Sequence, residues 1–142
     1  MKSNLLILAL LAAAWSAPAC ADTLRTFQVS GVFQDDAVMS GTLTVDDDTA
    51  RVVTCDIRIS GTENLVFSRV LKQKTVGLAA VVILAPDHAR WPRLIFGEQT
   101  FPGALRGYQG GPLGRRTDIV QQDQRKELIV SGRLIPMPSG GS

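Results

Sequence analysis

The chain has 142 residues, of which 45% are hydrophobic, and its 15 basic and 13 acidic residues give a formal net charge of +2. A chain of this length is enough for one domain with a sizeable core. A charge this close to neutral excludes a protein drawn to polyanions by its overall charge, so nucleic-acid binding is not expected.

The first 21 residues have the three parts of a secretory signal peptide. Lys2 gives a positive start, 5–14 is an unbroken apolar run, and 19–21 reads Ala-Cys-Ala, a small-residue cleavage pattern. The run is about half of the roughly 20 residues that cross a bilayer, so we expect cleavage before Asp22 without a transmembrane anchor. The product would be periplasmic or secreted. Lipidation of Cys20 is the alternative, although the residues before it depart from the usual lipoprotein signal.

The remaining chain has the pattern of short strands joined by turns. Period-2 alternation with β-branched residues marks the clearest strands, which fall at 27–29, 39–45, 53–59 and 128–134. Further strands are expected near 65–71, 78–84, 93–97 and, more weakly, 117–121. Turn-forming residues fill the gaps at 34–37, 46–50 and 60–64.

This spacing predicts an all-β fold with a single domain over residues 22–136. The strands would form an antiparallel meander of about seven to nine strands, as a β-sandwich or a closed β-barrel. Residues 101–116, with five glycines and two prolines, are predicted to be the longest loop. Residues 137–142 are predicted to be a flexible tail.

Cys55 is the only cysteine left after the expected cleavage, so the domain would have no intramolecular disulfide. It lies in the alternating run 53–59, and the two-residue period places it on one face with Val53, Ile57 and Ile59. We therefore expect Cys55 to be a small buried hydrophobic side chain.

Charge is distributed unevenly along the chain. Residues 22–64 contain 8 acidic and 3 basic residues, whereas 65–142 contain 5 acidic and 11 basic residues. One hypothesis is that strands of the two halves lie side by side and partly neutralise each other. The other is that the C-terminal half forms a basic face.

Several short motifs of the N-terminal half occur together in a known group of proteins. They are Ser-Gly-Val-Phe at 30–33, an acidic turn, Ser-Gly-Thr-Leu-Thr-Val-Asp at 40–46, Thr49, Val52, Asp56 and Ser-Gly at 60–61. With them, 27–61 resembles the opening of small exported bacterial β-rich proteins of the PEP-CTERM-associated type, and 130–132 and 136–138 resemble the end of that domain. Ala37 and Ala50 stand where the pattern usually has turn glycines, and the C-terminal sorting signal is missing. The resemblance implies an exported β domain and assigns no site residues.

Metal and nucleophile motifs are absent from the sequence. His88 is the only histidine, which excludes a His-rich metal site, and its setting at 86–89 is typical of an exposed turn. The acidic run 46–48 lacks the spacing of an EF-hand loop, so we expect a solvated hairpin tip whose carboxylates cap local amides. No cofactor, metal ion or catalytic residue is predicted.

The glycine-rich segment 107–116 has a superficial likeness to a phosphate-binding loop, but it lacks the Lys-Ser/Thr ending. Its glycine amides with Arg115 and Arg116 could still hold an anion, the alternative being a mobile solvent loop. Arg90, Trp91 and Arg93 combine an aromatic surface with guanidinium groups, and Phe101 and Tyr108 follow them in sequence. The alternative for the aromatic residues is that Trp91 and Phe101 seal one end of a barrel.

The leading hypothesis is a non-enzymatic exported module that binds an acidic glycan or a surface protein. The predicted binding residues are Arg90, Trp91, Arg93, Tyr108, Arg115 and Arg116. The alternative is a small periplasmic enzyme or a lipocalin-like carrier that holds an apolar ligand inside its barrel. A barrel interior filled by side chains would argue against the carrier, and a large apolar cavity would favour it.

Overall fold

A computed structural model describes residues 23–61, 63–103 and 105–138. The predicted signal peptide 1–21, its cleavage site and the last four residues of the predicted tail lie outside this part. The described residues include no helix long and apolar enough to cross a membrane. They form ten strands: β1 (Leu24–Phe33), β2 (Val38–Asp46), β3 (Arg51–Ser60), β4 (Leu65–Phe67), β5 (Arg69–Val76), β6 (Ala79–Ala85), β7 (Arg93–Phe101), β8 (Gly111–Pro112), β9 (Asp118–Val120) and β10 (Lys126–Pro136).

All ten strands belong to one antiparallel sheet in the order β4-β3-β2-β1-β10-β9-β7-β6-β5, with the two-residue β8 beside β10. The first long strand pairs with the last, from Phe27 opposite Pro136 to Phe33 opposite Ile129. The remaining neighbours follow chain order, as expected for a meander. The predicted all-β antiparallel fold is therefore confirmed, and the sheet curls into a nearly closed barrel.

The gap in the barrel lies between β3 and β5. β4 pairs only with the end of β3, the chain turns at Ser68, and β5 pairs with β6. The Gln73 side chain of β5 spans the gap, since its amide accepts a hydrogen bond from the Val52 amide at 2.8 Å and donates one to the Ala50 carbonyl at 2.8 Å. The strand predicted at 65–71 is thus two strands, and β5 continues through a polar stretch to Val76.

Large apolar side chains fill the barrel interior. They come from strands all around the sheet and from the loop after β7, and the largest fully buried ones are Phe27, Phe33, Phe67, Phe96, Phe101, Met39, Leu43, Ile57, Leu84, Leu94, Leu105 and Leu134. Burying each of them stabilises the fold by roughly 1.5–3 kcal/mol. The core is therefore built along the length of the barrel, as is usual for a barrel of this size.

Cys55 is buried, with 8% of its surface exposed, and it packs in the core with Ile57 and Ile59. The prediction that Val53 shares this face is wrong, because Val53 is 44% exposed and Val52 is 6% exposed. A β-bulge explains the difference: Thr44 pairs with Thr54, but the next residue, Val45, pairs with Val52. Burial, with the charge of Asp56 beside it, raises the pKa of the Cys55 thiol to about 11, so this thiol is protonated at neutral pH.

Candidate functional site

The strand ladders place the turns at two opposite ends of the barrel. The turns 34–37, 60–64, 86–92 and 121–125 meet at one end, which we call the open end. The turn 46–50, the turn 77–78 and the loop 102–110 meet at the other, which we call the closed end. The two ends differ in how their charged side chains are used.

At the closed end, an ionic cluster fastens the loop 102–110 to the turn 46–50. A terminal nitrogen of Arg25 donates to the Asp47 carboxylate at 2.7 Å, and the other donates a hydrogen bond to the carbonyl of Tyr108. The Asp47 carboxylate accepts a further bond from the Gly107 amide at 3.2 Å. Arg106 donates to the carbonyls of Asp47 and Asp48 at 2.8 and 2.7 Å. These guanidinium groups are therefore engaged within the protein.

The hydrogen bond from Arg25 is the main reason that the pKa of Asp47 is lowered, and the Gly107 amide adds to it against an opposing effect of burial. The expectation of a solvated acidic tip that caps local amides holds for Asp48, which is exposed, and for Asp46, which accepts from the Asp48 amide at 2.9 Å. Asp47 instead binds partners distant in sequence. No local pattern in the sequence indicates the roles of Arg25 and Arg106.

Tyr108 belongs to the closed end and packs inward. Its ring lies 5.3 Å from that of Phe27 and 5.1 Å from that of Phe101, between ring centroids. Its hydroxyl is buried with no hydrogen-bond partner in the described part of the chain, and burial raises its pKa. Phe101 and Tyr108 thus seal this end, whereas Trp91 lies at the other. The structure does not bring Tyr108 together with the predicted arginine and tryptophan residues.

Arg115 and Arg116 lie outside the barrel beside the second half of β7. The Arg115 amide donates to the Gln99 side chain at 3.3 Å, and the Arg116 guanidinium lies 3.6 Å from the carboxylate of Glu98. A Cβ at Gly114 would stand 2.4 Å from the Cβ of Gln99, so the segment packs closely against β7. This part of the predicted loop 101–116 also contains β8, and both arginine side chains are exposed.

Arg90, Trp91 and Arg93 come together on the outer side of the open end. The guanidinium carbon of Arg93 lies 4.0 Å from the Trp91 ring centroid, and its Nε donates to the Arg90 carbonyl at 3.2 Å. Arg69 holds the same turn by donating to the Ala89 carbonyl at 2.9 Å. The two terminal nitrogens of Arg93 have no hydrogen-bond partner among the described residues. We refer to Arg90, Trp91 and Arg93 as the arginine-tryptophan corner.

A cleft of about 480 Å³ occupies the mouth of the barrel at the open end. Its floor consists of the inner side chains Ala37, Ile59, Leu65 and Ile119, and its charged rim consists of Asp35, Glu63, Arg125, Lys126 and Glu127. A second cleft, of about 400 Å³, lies at the closed end. Its lining is mostly glycine, proline and uncharged polar residues, and its one charged side chain, Arg106, already bonds to carbonyl oxygens.

The ion pairs of the described part bear on the two hypotheses about charge. They join Arg25 to Asp47, Arg58 to Asp56, Arg116 to Glu98 and Arg125 to Asp123. Each of these pairs lies within one half of the chain. Across the halves, Arg106 bonds to the turn that carries Asp47, and its positive charge helps to lower the pKa of the Asp47 carboxyl.

His88 is exposed, as predicted for a turn residue, with 94% of its side chain accessible. Within residues 23–61, 63–103 and 105–138, no group of three His, Cys, Asp or Glu side chains is placed to hold a metal ion. No protein-family profile, curated protein or solved structure matches the chain. The site must therefore be interpreted from its own chemistry.

Proposed function

We propose that the protein is an exported, non-enzymatic binding module that holds an acidic glycan through the arginine-tryptophan corner. The observation that carries the proposal is the position of Arg93, stacked on Trp91 with its Nε bonded to the Arg90 carbonyl. Both contacts order the side chain before any ligand arrives, which lowers the entropy cost of binding. Its terminal nitrogens are left to face a ligand.

The chemistry of this corner fits a carboxylate or sulfate group. A guanidinium group presents parallel N–H donors that match two oxygens of such an anion. One face of the Trp91 ring is covered by Arg93, so a sugar ring would stack only on the opposite face. Arg90 adds a second positive charge on the same exposed turn.

The filled barrel supports this proposal over the alternative of a carrier with an apolar ligand inside. Twelve large apolar side chains with under 2% exposure occupy the interior. The cleft at the open end has a charged rim, unlike the lumen of a carrier for apolar ligands.

The test is binding of the purified protein to a polyuronate and a sulfated polysaccharide at increasing salt, with neutral dextran as the blank. We expect affinity for the acidic chains to fall with salt, because exposed charges are screened. Arg93→Gln should weaken binding about tenfold through loss of a charge-assisted contact. Trp91→Ala should weaken it while the fold remains intact.

The double substitution of Arg115 and Arg116 by glutamine is the matched control. It removes two exposed positive charges away from the corner, so it should lower the affinity less than Arg93→Gln. An equal or larger loss would move binding to a diffuse basic face and overturn the assignment to Arg93. Absent or salt-insensitive binding, or binding only to acidic proteins, would overturn the glycan proposal.

A further inference from the structure

The cleft at the open end is a second candidate site, distinct from the arginine-tryptophan corner. None of Arg90, Trp91 and Arg93 lines it. Its volume of about 480 Å³ lies within the range of roughly 300–1,000 Å³ found for small-molecule sites, which often occupy the mouths of β-barrels. The site therefore has the size for a ligand such as a short peptide.

The apolar floor of the cleft is the part of the hydrophobic core that lies nearest the open end. Ile59 and Ile119 point inward from β3 and β9 and are 2% and 4% exposed, while Leu65 on β4 is half-buried. These side chains come from opposite sides of the barrel mouth. An aliphatic group placed between them would lose contact with water and gain contact with the floor.

The acidic side chains of the rim come from different segments of the chain, whereas the basic ones are neighbours in sequence. Acidic side chains lie on a continuous arc: Glu63 in the turn after β3, Asp35 in the turn after β1, and Glu127 near the start of β10. Of the basic side chains, Arg125 ends the turn between β9 and β10, and Lys126 is the first residue of β10. The side chains of Glu63, Glu127 and Lys126 have no hydrogen bond or ion pair with another residue that the structure describes, although the positive charge of Lys126 opposes the rise that burial causes in the pKa of Asp118.

The backbone register brings Glu127 into the cleft. Glu127 pairs with Ile119 across the β9–β10 ladder, so its side chain shares the inner face with that of Ile119. The neighbouring Leu128 carbonyl accepts from the Gln34 amide at 3.0 Å, which holds this part of β10 beside the turn that carries Asp35. A carboxylate on the inner face of an apolar mouth has a position suited to an ammonium group.

We propose that this cleft binds a short apolar peptide in its zwitterionic form. The peptide ammonium would lie among Glu127, Asp35 and Glu63, its terminal carboxylate would face Lys126, and its aliphatic side chains would cover Ile59 and Ile119. Each charged end of the ligand thus meets the opposite charge on the rim. Arg125 contributes less, because its guanidinium is already paired with Asp123 at 2.7 Å.

The test is a nuclear magnetic resonance titration of the protein with leucyl-leucine at millimolar concentrations. We expect saturable shifts of amide resonances around 34–37, 60–64 and 119–127. N-acetyl-leucyl-leucine and leucyl-leucine amide should each bind about tenfold more weakly, because each lacks one charged end. Lys126→Gln should remove the difference between leucyl-leucine and its amide, and Glu127→Gln should reduce the difference from the acetylated form.

Arg93→Gln is the matched control, because it alters the arginine-tryptophan corner and leaves the cleft lining intact. It should leave leucyl-leucine binding unchanged, so failure of either proposal can be told from failure of the other. Equal binding of the free and capped dipeptides would overturn the proposal. Shifts confined to other parts of the chain, or no saturable shift, would do so as well.

Discussion

The closed and open ends of the barrel are both bordered by charged side chains, but these side chains have different partners. At the closed end, Arg25, Asp47 and Arg106 bond to one another or to main-chain carbonyls and hold the loop over the core. At the open end, Glu63 and Lys126 line a cleft, and their side chains make no described hydrogen bond or ion pair. The comparison indicates that the charges of this cluster at the closed end stabilise the fold, whereas Glu63 and Lys126 at the open end are available to a ligand.

The largest expected effect on stability is found by comparing one aromatic residue from each end of the barrel. Phe101→Ala removes a fully buried ring that contacts Phe96 and Tyr108, so it should lower the free energy of unfolding by about 4 kcal/mol. Trp91→Ala removes a half-exposed ring stacked with Arg93, and about 1 kcal/mol is expected. Urea denaturation of both variants measures the difference. A loss at Trp91 as large as that at Phe101 would show that Trp91 is part of the core.

The second effect concerns the ionic cluster of the closed end. Asp47→Asn weakens the bonds from Arg25, so it should cost about 2 kcal/mol at neutral pH. The pKa of Asp47 is lowered on folding, so its contribution is complete above the ordinary value of 3.8 and is lost as pH falls through the lower folded value. The free energies of unfolding of the wild type and of the variant, measured at a series of pH values, should therefore become equal in acid. Asp56→Asn, in an exposed pair, is the control and should change stability by less than about 0.5 kcal/mol.

A smaller effect is expected at the turn that Arg106 holds. Ala50 has a φ of +57°, a conformation that suits glycine, and its carbonyl still binds Gln73 after substitution. Ala50→Gly should raise stability by about 0.5–1 kcal/mol, because relief of strain exceeds the added entropy of the unfolded chain. Gly77→Ala, at φ +62° with no neighbour within 4 Å, should lower stability by about 1 kcal/mol. Thermal melts measure both changes. If the two variants shifted the melting temperature in the same direction, this account of the turns would be contradicted.

The smallest effect is expected from the rim charges of the open end. Glu63→Gln and Lys126→Gln remove charges that make no described hydrogen bond or ion pair, so each should change the free energy of unfolding by less than about 0.5 kcal/mol. Denaturation curves superimposed on that of the wild type would support the comparison. A loss similar to that of Asp47→Asn would mean that these charges also stabilise the fold.

Sequence patterns were sufficient where the interactions are local. The turns 34–37 and 46–50 connect neighbouring strands, so alternation and turn residues identify them directly. The bulge at Val53 and the corner at Ser68 depend on how distant strands meet, and neither changes the local pattern. The polar stretch of β5 is a strand because it pairs with β6 as far as Val76 opposite Ala79, and the bond between Gln73 and β3 across the gap has no signal in a short window.

In the candidate sites, too, only contacts between residues close in sequence could be predicted. Trp91 and Arg93 are two residues apart and remain together in the structure, so their pairing could be predicted. The sequence places Tyr108 in the same group because it is aromatic and follows them in the chain, but packing against Phe27 of β1 holds it at the closed end. The cleft at the open end is lined from several turns and strands, and its composition appears only when the barrel closes.

The pairing of β1 with β10 also decides how the molecule can be attached to something else. Near the first described residue, the carbonyl of Thr23 accepts from the Asp47 amide at 2.7 Å, and near the last, the Met137 amide donates to the Thr26 carbonyl at 2.9 Å. Both contacts lie at the closed end. A tag, a fusion partner or a solid support joined before Thr23 or after Met137 would therefore be attached at the closed end. The cleft and the arginine-tryptophan corner would then point away from it and be accessible from solution.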